Sequence, residues 1–142
     1  MFLVDALGRS GLNTVSCIHE QGAGFAAIGH AMMQGFGCCL VTSGPGVTNA
    51  MTACLAAWTD SVPVLFISGQ ARTDAMRGNT RARGLQYVNI DIVRPITKLT
   101  YEPMSSAMDA LMALDDMIEA CTTGRKAPCW LSVPQDIQAV EV

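Results

Sequence analysis

Cys38-Cys39-Leu40-Val41-Thr42-Ser43-Gly44-Pro45-Gly46 opens as an apolar run of strand length and closes on a turn. Ser43 before a helix start and Pro45 near it both suit a helix N-terminus. The spacing predicts a strand over 38–42 and a helix over 46–58. Val62-Pro63 then introduces a second apolar run, VLFIS, read as a strand over 64–68. Upstream, Gly35-Phe36-Gly37 makes a turn. Residues 20–35, built from Gly, Ala, Phe, Ile and Met, read as a helix before it. Residues 13–18 (NTVSCI) are expected to form a short buried strand, and 2–9 (FLVDALGR) the end of a helix closed near Gly11. Near-continuous apolar strands alternating with helices argue for an α/β fold, a parallel sheet covered on both faces.

Further on, residues 69–86 break the pattern. They hold Arg72, Arg77, Arg81 and Arg83 against one acid, Asp74. A polar connection this long inside a compact domain is usually functional. A short helix near 87–93 and a strand near 96–101 follow. Residues 105–122 read as an amphipathic helix, with Met108, Leu111, Met112, Ile118 and Cys121 at helical spacing. Ser105 and Ser106 are its N-cap candidates and Gly124 its stop, and its methionines read as core filler. CWLSV (129–133) makes a last strand, ended by Pro134, and the tail QDIQAVEV resembles a linker.

At 142 residues the chain is one domain's worth. Half of it is hydrophobic and only 15% is charged, against a usual quarter, so much of its surface is expected to be buried or meant for partners. A net charge of −3 argues against a general affinity for nucleic acid. No apolar run reaches the length of a membrane span. The N-terminus has no basic segment leading into an apolar core, so no signal peptide is read there. None of the six cysteines forms a C-x-x-C pair, and His19 and His30 are the only histidines, so no metal site is expected. The cysteines read as reduced thiols of a cytoplasmic protein.

Glu20 is the only acidic residue between Asp5 and Asp60. It stands where the expected strand 13–18 hands over to the helix. A carboxylate there complements the helix dipole. It can equally be a tuned acid or hydrogen-bond partner, since ligands of open α/β sheets bind at the carboxyl ends of strands. Gly44-Pro45-Gly46-Val47-Thr48-Asn49 begins like a dinucleotide fingerprint, but Asn49 stands where a third Gly or Ala is needed. Proline stiffens this turn and removes a donor, which suits a wall against a flat ring better than a phosphate nest.

HEQGAGFAA, LVTSGPGVTN, DSVPVLFISGQ, DIVRPITK and WLSVPQDIQ occur in that order along the chain. Together they resemble the pyrimidine-binding (PYR) domain of thiamine diphosphate enzymes, of the acetolactate synthase-like branch. The resemblance implies a three-layer α/β/α, open and mostly parallel sheet of flavodoxin-like type, truncated at its N-terminus. The first strand would be missing, the domain would span 1–134, and 135–142 would start a linker to an absent middle domain. Glu20 matches the family glutamate that hydrogen-bonds N1′ of the aminopyrimidine and so assists removal of the C2 proton. Pro45 matches the proline beside that ring, and Asn49 an asparagine one turn further on. Gln86 matches a glutamine that reaches the reaction centre, although Leu85-Gln86 stands where many synthases have Phe-Gln.

The resemblance also implies what the chain lacks. The G-D-G…N-N motif that holds Mg2+ and the diphosphate is absent, so the chain would contact thiamine diphosphate on its aminopyrimidine side only. Its partners would be a second copy or a diphosphate-binding subunit, and the substrate of the complete enzyme a small 2-keto acid. Gly29-His30-Ala31-Met32 departs from the family's Gly-Tyr-Ala-Arg. His30 lies about 15 Å along the helix from Glu20, and reads as a surface or interface residue. Two other readings stand beside this one: a noncatalytic interaction or regulatory module that kept the fold, and a nucleotide-binding α/β domain.

Overall fold

The computed structural model describes residues 2–77, 88 and 90–140. Four strands form one sheet: β1 (Gly37–Val41), β2 (Val64–Gln70), β3 (Leu99–Tyr101) and β4 (Cys129–Pro134). Every pairing is parallel, and the order across the sheet is β1-β2-β4-β3. The helices are α1 (Phe2–Arg9), α2 (Glu20–Gln34), α3 (Pro45–Thr59), α4 (Thr73–Arg77), α5 (Ala107–Thr122) and α6 (Gln135–Gln138). Two 3-10 turns, Ile90–Ile92 and Arg94–Ile96, stand where a short helix is expected near 87–93.

The continuous apolar runs have a direct cause. Along β2 and β4, alternate residues enter opposite cores. Val64, Phe66 and Trp130 pack with α2 and α3 on one face. Leu65, Cys129, Leu131 and Val133 pack with Met117 and Cys121 of α5 on the other. Both faces are covered, so the molecule has three layers, α/β/α. In the first core Trp130 stacks on Phe66, centroids 4.9 Å apart, and its Nε1 donates to Ser68 Oγ at 3.0 Å. Trp58 lies at the end of α3 with the Arg125 guanidinium 4.6 Å above its ring.

α2 and α3 meet through small side chains. A Cβ on Gly24 would lie 2.5 Å from Ala53 Cβ, and one on Gly37 would lie 2.2 Å from the Ala27 carbonyl oxygen. Only glycine permits these approaches. α2 stops at Gly35, whose φ of 91° suits a left-handed cap, with its N–H donating to the Ala31 carbonyl.

Three expectations are corrected. Residues 13–18 are not a strand; they run irregular and exposed, with Val15 at 85% and Ile18 fully open. A strand needs a ladder partner, and this segment pairs with none of the described strands. The strand expected near 96–101 is only Leu99–Tyr101. The helix over 105–122 forms from Ala107, capped by Ser106 Oγ accepting from the Met108 N–H, but its methionines are not all core filler. Met117 and Cys121 are buried, whereas Met108, Leu111, Met112 and Ile118 are exposed. The tail that resembles a linker opens as α6, which buries Ile137 and whose Gln138 donates to the Val133 carbonyl.

Candidate functional site

Glu20 is the first residue of α2, after an N-cap His19 whose Nδ1 accepts from the Gln21 N–H at 3.2 Å. Asn49 lies in the second turn of α3. Its Nδ2 donates to Glu20 Oε2 at 3.1 Å. The packing explains why these two meet. Gly24 is one turn beyond Glu20 and Ala53 one turn beyond Asn49, and the Gly24–Ala53 approach draws the two helix starts together.

Pro45 sits four residues before Asn49, at the exposed start of α3. The turn ahead of it is unusual: Gly44 has φ 65° and ψ −117°, a backbone that side-chain-bearing residues rarely adopt. Gly46 lies against Thr42, where a Cβ would come within 2.9 Å of Cγ2. The two glycines let β1 turn sharply into α3, which leaves Pro45 exposed at the helix start, one turn before Asn49.

The Asn49 bond holds the Glu20 carboxyl below its ordinary value of 4.5. Its own backbone N–H and the nearby His19 act the same way, against a smaller opposing push from burial. The hydrogen bonds outweigh burial, and the carboxylate form of Glu20 is favoured.

The structure thus brings Glu20 and Asn49 together, with Pro45 one helical turn before Asn49. Gln86 lies outside the described residues, as do Leu85, Arg81 and Arg83. His30 is exposed at the far end of α2, its Nδ1 2.9 Å from the Phe36 carbonyl oxygen. Among the described residues no three His, Cys, Asp or Glu side chains converge on a metal position.

Sequence reasoning missed one polar cluster. Gln70, the last residue of β2, donates through Nε2 to the Val88 carbonyl at 2.7 Å and to Glu102 Oε2 at 3.0 Å. Ser132 Oγ of β4 donates to the same Glu102 oxygen at 2.8 Å. No local spacing announces this cluster, because only the sheet order joins its members.

A family model described as "Thiamine pyrophosphate enzyme, N-terminal TPP binding domain" matches residues 1–93. The chain belongs to this family. It is 37% identical over 126 residues to the acetolactate synthase large subunit of Corynebacterium glutamicum, an alignment covering 87% of this chain and 19% of that protein. It is 34% identical over 140 residues to the acetolactate synthase isozyme 2 large subunit of Escherichia coli, covering 97% and 25%. It is 36% identical over 145 residues to the chloroplastic acetolactate synthase 2 of Nicotiana tabacum, covering 97% and 20%. The TPP binding domain described here therefore spans a quarter or less of the relatives it matches.

The residues of this TPP binding domain fit the ring end of that cofactor. An ionised carboxylate offers about four lone-pair positions. The Asn49 amide and the Glu20 backbone N–H occupy two of them, which leaves acceptor capacity for a ring N–H. Pro45 adds an exposed apolar surface one helical turn before Asn49.

Proposed function

We propose that the chain is the pyrimidine-binding half of a thiamine diphosphate-dependent enzyme acting on a 2-keto acid, in decarboxylation and carboligation of the acetolactate synthase type. The observation that carries this reading is the Asn49–Glu20 hydrogen bond at the joined starts of α2 and α3. When bound, thiamine diphosphate supplies the carbon nucleophile and the electron sink. Glu20 would share one proton with the ring nitrogen of the aminopyrimidine, accepting its hydrogen bond as a carboxylate when the ring is protonated and donating it as a carboxylic acid when the ring is neutral. Asn49 fixes the carboxylate so that little reorientation is needed. Pro45 flanks the ring and keeps water from one side of it. Gln86 is assigned to the reacting substrate. Mg2+ and the diphosphate belong to a further domain, reached beyond residue 134 or supplied by another subunit.

A homo-oligomer suits the same reading. α2 and α3 expose Phe25, Met32, Met33 and Leu55 along their length, apolar surface that a second chain would cover. The free cysteines, four of them buried, suit a reducing cytoplasm.

The test is a chimaera in which residues 1–134 replace the corresponding domain of the Escherichia coli isozyme 2 large subunit. Glu20→Gln keeps the shape and loses the ionised acceptor. Cofactor C2 proton exchange and turnover should fall together by ~10²–10⁴-fold, the usual acid–base contribution. Full exchange in an active Glu20→Gln chimaera would reduce the carboxylate to a helix-terminus charge.

A further inference from the structure

Among the described residues β3, at the end of the sheet farthest from β1, is hydrogen-bonded on one side only, to β4. A strand in this position presents backbone donors and acceptors along its outer side. Beside it α5 carries Asp109, Met112, Ala113 and Asp116 at i, i+3, i+4 and i+7, a single helical stripe. That stripe and the β3 side chains Leu99 and Tyr101 enclose a groove of about 290 Å3. Its apolar members are open to solvent: Met112 is 66% exposed, Leu99 38% and Tyr101 37%.

The charge of this surface is unbalanced. α5 holds Asp109, Asp115, Asp116 and Glu119 and no Lys or Arg. The ion pairs among the described residues are Arg9–Asp5, Arg72–Asp74 and Arg94–Asp91, so none of the four pairs with a described cation. Asp109 accepts from Ser105 Oγ. Lys98, at the start of β3, spends its ammonium on the carbonyls of Thr123 and Arg125, at 2.6 and 3.1 Å.

We propose that the groove between β3 and α5 docks an extended, basic segment of a partner protein, which adds as a strand to the free side of β3. The dimensions define the segment. Asp109 and Asp116 are seven residues apart, about 10 Å along the helix. In a strand, residues i and i+4 lie about 13 Å apart on one face, and flexible lysine stems close the difference. The segment therefore reads cation, any residue, large apolar residue, any residue, cation. Its central side chain fills the Leu99–Met112–Ala113 floor, its cations meet Asp109 and Asp116, and its backbone pairs with β3.

The experiment titrates the full 142-residue chain into a fluorescein-labelled heptapeptide, T-K-T-L-T-K-T, and reads anisotropy. Saturable binding is expected, weakening as salt rises. Asp109→Asn with Asp116→Asn should weaken it at least ~tenfold, and these surface changes leave an unaltered circular dichroism spectrum as the folding control. A glutamate-for-lysine peptide should not bind, and N-methylation of alternate backbone nitrogens should abolish binding. Absence of saturation up to about 1 mM peptide, equal binding of the glutamate peptide, or an unchanged double variant would overturn the proposal. So would self-association that Met112→Lys abolishes without any peptide binding, which would assign the groove to a second copy.

Discussion

At the scale of single residues, Asn49 is the neighbour that does most to hold the Glu20 carboxyl below its ordinary range. Asn49→Ala removes the bond that lowers its pKa most, so a carbon-detected titration should show the Glu20 carboxyl rising toward its ordinary 4.5. The sign of the linkage follows. A depressed carboxyl adds stability above its unfolded pKa and loses it as pH falls through the lower folded value. Asn49→Ala should therefore lose that contribution at neutral pH, with a flatter acid limb and a difference from the parent that vanishes as pH falls through the folded value. A carboxyl that titrates identically in both proteins would show that the Asn49 contact does not set its charge. Glu20 was legible in the sequence because it stands alone among apolar residues. Its bond to Asn49 was not, since the two are 29 positions apart and meet only where Gly24 lets the helices approach. The role of Gln70 was likewise hidden, because its partners Glu102 and Ser132 come from two other chain segments.

At the scale of elements, glycines in one helix carry opposite predictions. Gly24 has Ala53 Cβ at 2.5 Å from where its own Cβ would stand, while Gly29 has nothing within 4 Å. Gly24→Ala forces the helices apart and should cost about 1–3 kcal/mol, as overpacking does. Gly29→Ala meets no obstacle and should gain up to ~1 kcal/mol from helix propensity. Urea denaturation of the two variants checks both signs. The contrast also shows what a sequence conveys about elements. Apolar runs bounded by turns placed β1, α3, β2 and β4 within a residue or two, helped by the burial of β2 and β4 on both faces. Helix α5 was located but turned the wrong way, because it carries two apolar stripes. Met117 and Cys121 meet the sheet, and the stripe holding Met108 and Met112 does not. Residues 13–18 have strand-like composition, yet composition cannot supply the neighbour that a ladder requires.

At the scale of the whole molecule, the two cores sort the thiols. Cys39, Cys54, Cys121 and Cys129 are buried, while Cys17 and Cys38 are exposed. Burial pushes the Cys39 thiol up to about 12 and raises Cys54 further. Since the thiolate is the reactive form, a disulfide reagent at pH 8 should modify Cys17 readily and Cys38 more slowly, its thiol being raised by desolvation. The remaining four should react only on unfolding, giving six in all. Rapid modification of more than two thiols in the folded chain would contradict this layering. The two tryptophans are sorted by the same architecture. Trp130 is sealed against Phe66 with its indole N–H satisfied, whereas Trp58 lies near the surface under a guanidinium. One indole is therefore a blue-emitting gauge of the central layer, shielded from iodide. The other is a red-shifted gauge of the rim, open to quencher, so the chain carries two optical channels that distinguish loosening of its edge from melting of its interior.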